Sequence, residues 1–195
     1  MASEHMKPLI VIVDVQRDFC DAGALPARGT ASLLGPLHIC IEAARQRGIQ
    51  IAFTQDWHPS NHASFQQNGG RWPVHCVAGS AGAELAPPLT AGPSDIVVRN
   101  GTEPNSEGYS AFEGTDLAGT LHALQINLVA VCGIATEYCV RATALDAINA
   151  GFTTSLLVDL VRPIREDDAT IALAEMAKAG IALAESKQWL AGCCR

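Results

Sequence analysis

The sequence predicts a three-layer α/β/α domain built on a mainly parallel sheet of about six strands. Three observations predict it. Short runs of Val, Ile and Leu recur, the pattern of strands buried on both faces. Helix-length segments separate them, so successive strands are joined by crossovers and run parallel. The chain of 195 residues can fill one core, and no linker or repeat divides it, so residues 1–195 read as a single domain.

The elements come in order. The polar start, Met1 to Met6, is expected to fray or to be an expression remnant. Pro8 to Val15 is the first buried strand. Ala31 to Arg47 reads as a helix stopped by Gly48, and Ile49 to Thr54 as the second strand. Asp56 to Pro93 is long, rich in Pro, Gly, His and Trp, and without periodicity; loops of that length in compact domains are usually functional. Asp95 to Val98 is a short strand, Asp116 to Leu124 a helix and Ile126 to Val131 a strand. Thr136 to Ala150 is a helix closed by Gly151, and Thr153 to Val158 a strand. Asp167 to Ala179 is a helix whose first carboxylates suit a positive N-terminus. Ile181 to Ala184 is a last strand and Glu185 to Leu190 a closing helical turn.

Composition narrows the function. The net charge of −7 argues against nucleic acid and anionic membranes, which need basic patches. No apolar run reaches membrane-spanning length and no signal peptide is visible. Seven cysteines are an odd number without finger spacing, so they read as reduced thiols of a cytoplasmic protein, with Cys193-Cys194 as an exposed tail. The expected partner is a small molecule, with homo-oligomerisation left open.

The segment Val129 to Arg141 organises the site. It reads as a strand, a glycine turn and the start of a helix carrying Cys139. A cysteine in a first helical turn faces free N–H groups, which lower a thiol pKa and supply a nucleophile. The alternative is a small packed thiol. Asp14 ends a buried strand, where a carboxylate is costly unless paired or used. It either caps a loop or serves as acid and base to Cys139. Gln16 is placed to orient groups nearby, and Asp18 to cap the segment after it. Asp56, His58, His62 and His75 crowd one loop. Asp and His ligands suit zinc, iron or manganese; scattered capping histidines are the alternative. Cys76 reads as packed. Phe19, Trp57, Trp72 and Tyr109 lie in loops, either walling a flat substrate or anchoring core. In an open parallel sheet such residues converge beyond the C-terminal strand ends, where strand order reverses.

VDVQRDF at 13–19, TQDWHPSNHASF at 54–65, WPVHCVAGSAGAEL at 72–85, GTEPNSEGYSAF at 101–112 and GIATEYCVRATALDA at 133–147 span most of the chain. Together they resemble the cysteine amidohydrolases of the isochorismatase-like superfamily, most closely the nicotinamidases, also called pyrazinamidases. The resemblance implies Cys139 as nucleophile and Asp14 as acid and base. It implies a cis Ile134–Ala135 bond and an oxyanion hole from the N–H groups of Ala135 and Cys139. It also implies a divalent transition metal on Asp56, His58 and His75, zinc before iron or manganese, with His62 close by as a ligand or through water. Phe19 and Trp72 would sandwich a pyridine ring, with Tyr109 and Gln16 at the substrate. The reaction implied is hydrolysis of nicotinamide, or a similar small planar amide, to acid and ammonia through a thioester.

One position departs. Where the family carries a catalytic lysine, this chain has Asn100, preceded by Arg99. Neighbouring strand residues face opposite ways, so Arg99 is no substitute. Either activity is reduced, or the site serves another amide or a lactam, such as the streptothricin lactam opened by relatives in the superfamily.

Overall fold

The structure is a computed structural model and describes residues 6–193. The strands are β1 (Pro8–Val13), β2 (Gln50–Asp56), β3 (Ile96–Asn100), β4 (Leu128–Ile134), β5 (Thr153–Arg162) and β6 (Ala182–Ala184). They form one sheet in the order β3-β2-β1-β4-β5-β6. Every neighbouring pair is parallel, so the sheet is wholly parallel where sequence predicts mainly so. The helices are α1 (Thr30–Gln46), α2 (Leu117–Ala123), α3 (Arg141–Asn149), α4 (Glu166–Lys178) and α5 (Ser186–Gly192).

The two-residue period of a strand divides the core. On β1, Ile10 and Ile12 pack under α1 and α5, while Leu9, Val11 and Val13 pack with α2, α3 and α4. Both faces are therefore covered, and the central strands have no polar side.

The structure differs from the sequence expectation in β5 and at Cys193. β5 runs on to Arg162 because its register against β4 shifts between Val131 and Gly133. Asp159, in that extension, binds the Ser186 N–H at 2.8 Å and its hydroxyl at 2.6 Å, holding the start of α5. Cys193, expected in an exposed tail, is half-buried and packs against the α1–α5 core. Cys194 and the start at Met1 lie outside the described residues. Among the described residues no helix is long and apolar enough to cross a membrane.

Strand order reverses at β1, with β2 on one side and β4 on the other. The crevice beyond their C-terminal ends receives Asp14 after β1, Asp56 at the end of β2 and the turn after β4.

Candidate active site

Asp14 is fully buried and sits at φ 48°, a left-handed turn that ends β1. Pairing of Ile12 with Phe53 brings Thr54 alongside it. The Asp14 N–H donates to the Thr54 hydroxyl at 3.0 Å, and that hydroxyl donates to Asp14 Oδ1. Asp14 Oδ2 has no partner. Burial, and then the Asp56 charge, push the Asp14 carboxyl up from 3.8 to about 7, against the opposing pull of Thr54, Cys139 and Asn100.

Cys139 sits in a wide π-helical turn, Thr136–Val140, that precedes α3, where the sequence predicts an ordinary helical start. The Ile134–Ala135 peptide is cis, as the resemblance implies. Ala135 O accepts from Tyr138 N at 3.0 Å and Val140 N at 3.2 Å, closing the turn. Buried Glu137 ties it to the next connection, accepting from Ile164 N at 3.0 Å and Arg165 N at 2.7 Å. Burial, then the Asp14 and Asp56 charges, push the Cys139 thiol well above its ordinary pKa, against the lowering expected of a first helical turn. The nearby strand residue, Asn100, is neutral and offsets neither charge.

Asp56, His58 and His75 are buried, and one ligand atom from each lies within 4.8 Å of the others. His58 Nδ1 is 2.9 Å from Gly101 O and its Nε2 2.9 Å from Asp56 Oδ2. His75 repeats the arrangement, with Nδ1 2.8 Å from Pro73 O and Nε2 3.5 Å from the same Asp56 oxygen. Both rings thus present each nitrogen to an acceptor. That is stable only with positive charge between the Nε2 atoms and the carboxylate, supplied by a proton or a shared cation. Burial disfavours the His58 cation, but Asp56 outweighs it and raises the ring's pKa. Burial likewise works against the Asp56 carboxylate, and the two histidines outweigh it. The donor set, one carboxylate and two imidazoles with their far nitrogens anchored, fits a divalent transition metal.

His62 lies against His58, with ring centroids 4.0 Å apart and planes tilted by 30°. Its nitrogens are taken by Ser64 Oγ at 2.7 Å and Ser106 O at 2.8 Å, so it stands beside the three donors rather than among them. Gly101 presses on the same group: a Cβ there would lie 2.6 Å from His58 Cε1 and 2.7 Å from Asp56 Oδ1.

Gln16 orients a neighbouring group, as its position in the sequence suggests, and does so through backbone: it is fully buried and spends its amide on main-chain atoms. It donates to Asp56 O at 2.8 Å and Ala83 O at 2.9 Å, and accepts from Asp56 N at 2.8 Å. It therefore holds Asp56 through both its N–H and its carbonyl. Asp18 does not cap its own segment; it accepts from Cys76 N at 2.7 Å and so holds the loop of His75.

The aromatic residues divide. Phe19 packs edge-on against His75 at 5.6 Å. Trp72 donates to Tyr109 OH at 3.0 Å, and Tyr138, which no sequence signal singles out, touches both rings. Arg71 lies 4.8 Å over Trp72. Trp57 is apart from these, under the Arg99 guanidinium at 3.9 Å. Arg99 thus faces away, as strand parity requires, while Asn100 is 1 % exposed and pairs in register with Asp56.

Comparison with known proteins places the chain among relatives of one family. The nicotinamidase of Escherichia coli (strain K12) is 34% identical, over 92% of this chain and 95% of its own length. The nicotinamidase/pyrazinamidase of Mycobacterium tuberculosis is 37% identical, over 89% of this chain and 96% of its own. A crystal structure of the pyrazinamidase of Pyrococcus horikoshii in complex with zinc superposes with a TM-score of 0.89 at 42% identity, covering 92% of this chain and 99% of that one. The model of the Isochorismatase domain matches residues 8–188, nearly the whole described chain, and on that match the protein belongs to the isochorismatase family.

Proposed function

We propose that this amidohydrolase cleaves the carboxamide of nicotinamide, or of a similar small planar amide, to the acid and ammonia through a thioester on Cys139. One juxtaposition carries the reading. Asp14 and Cys139 are buried neighbours beside the Asp56–His58–His75 donor set, all beyond the strand ends at the sheet's reversal. Relatives at 34% and 37% identity are named for nicotinamide and pyrazinamide hydrolysis, which supports the substrate class.

The resting thiol is neutral, so Asp14 acts as general base during attack rather than facing a preformed thiolate. The Cys139 proton moves to Asp14 as sulfur bonds the carbonyl carbon. Ala135 and Cys139 N–H groups meet the developing oxyanion. Asp14 returns the proton to nitrogen, ammonia leaves, and water attacks the thioester with Asp14 again taking a proton. Phe19 and the Trp72–Tyr109 pair wall the planar acyl group. A divalent ion, zinc before iron or manganese, would supply a Lewis acid that holds a ring nitrogen of the substrate. Buried free thiols such as Cys40 and Cys132 suit a reducing, cytoplasmic setting.

The test is ammonia release from nicotinamide within a panel of planar and cyclic amides, with divalent metal supplied. Opening of a lactam with no action on nicotinamide would replace this reading with the lactamase one. The metal site has its own expected result: elemental analysis gives about one transition-metal ion per chain, and His58→Ala and His75→Ala each lose it. Retention of full metal content in both variants would move the site elsewhere.

A further inference from the structure

Buried acceptors that meet no donor are rare in folded proteins. Asn100 Oδ1 is one of them, on a side chain that neighbours the Asp14 carboxyl. The Asn100 amide is not free to exchange its ends. Its Nδ2 donates to Gly108 O at 3.0 Å, and a carbonyl can only accept, so a flip would press two oxygens together. Gly108 is packed close against the strand end at this point, where a Cβ on it would stand 2.4 Å from Gly101 Cα. Asn100 Oδ1 is therefore fixed, buried and unpaired beside the proposed proton carrier. That oxygen has no donor of its own, and a substrate nitrogen bearing hydrogens is a donor this chemistry brings.

Resting on the amidohydrolase reading, we infer that Asn100 is a specificity-determining residue: its Oδ1 accepts a hydrogen bond from the nitrogen that leaves, selecting carboxamides over esters of the same acid. In acylation the Sγ–C bond forms and the C–N bond breaks. The thiol proton reaches nitrogen through Asp14 Oδ2, and Asp14 ends the step ionised as it began. Nitrogen departs as ammonia with one hydrogen on Asn100 throughout. An ester oxygen has no hydrogen to offer, so the Asn100 oxygen gains nothing from it.

The experiment compares kcat/KM for nicotinamide and for methyl nicotinate in wild type and Asn100→Leu. The two substrates give the same acyl group, so kcat/KM isolates acylation. The expected result is an amide-to-ester ratio lowered roughly tenfold or more, the scale of one hydrogen bond lost. The ratio is read within one protein, so it is independent of the fraction folded; Asn100→Ala provides the same ratio should the leucine variant not fold. Equal losses on both substrates would make Asn100 merely structural, and an unchanged ratio with unchanged rates would remove it from the site; either overturns the inference. If wild type cleaves neither compound, the nicotinamide reading falls and this inference with it.

Discussion

Cys139→Ala is expected to abolish ammonia release, by roughly 10⁴-fold or more, while leaving fold and metal content unchanged. The size follows from the role: without sulfur there is no bond to the carbonyl carbon, and Asp14 has no proton to move. The small effect on stability follows from the surroundings. Cys139 is 5 % exposed and belongs to the buried cluster that includes Val131, Val140 and Ala144, so alanine removes one sulfur from the edge of that cluster. Such a truncation costs about 1 kcal/mol, at the low end of large-to-small core changes. The turn is held by Ala135 O and Glu137, neither of which needs the thiol. Ammonia release, thermal melting and elemental analysis on one preparation check all three parts. Near-normal release from a well-folded variant removes Cys139 from the mechanism.

The site is legible in sequence wherever a residue's position on its strand settles its direction. Asp14, Asp56 and Asn100 lie at the ends of apolar strands whose C-termini must come together in a parallel sheet, and the parity of Arg99 and Asn100 follows from strand geometry. The fold is legible for the same reason, since buried parallel strands are continuous apolar runs. Sequence hides the pairings across long separations. Gln16 holds a peptide 40 residues away, and Asp18 a peptide 58 residues away. Both look like local polar residues because their partners lie in other loops. Tyr138 is shielded from view by its neighbour Cys139, and its contacts with Trp72 and Tyr109 arise only when three loops meet. The upward push on the thiol's pKa is equally hidden, because helix position says nothing of its burial or of the Asp14 and Asp56 charges that act on it.

Asp14→Asn is expected to cost roughly 10²–10⁴ in rate and yet to stabilise the protein near neutral pH. The substitution is nearly isosteric and keeps an oxygen to accept from Thr54, so it removes charge and basicity with little else. Catalysis needs the carboxylate as proton acceptor. Wild-type kcat/KM should therefore rise with pH through about 7, where Asp14 ionises, and the residual activity of Asp14→Asn should lack that limb. Stability runs the opposite way. Because the folded pKa is raised from 3.8 to about 7, the folded state binds the proton more tightly than the unfolded chain. The associated stability is fully present below the lower value and is lost as pH rises through the higher one. Asparagine has no such loss. The melting temperature of Asp14→Asn should accordingly draw ahead of wild type across that window and keep its lead at about pH 8, as measured by paired melts from about pH 5 upward. A wild type that holds its lead at every pH would mean that Asp14 is stabilised as a carboxylate in the fold, by a cation that the neutral Asn100 does not provide.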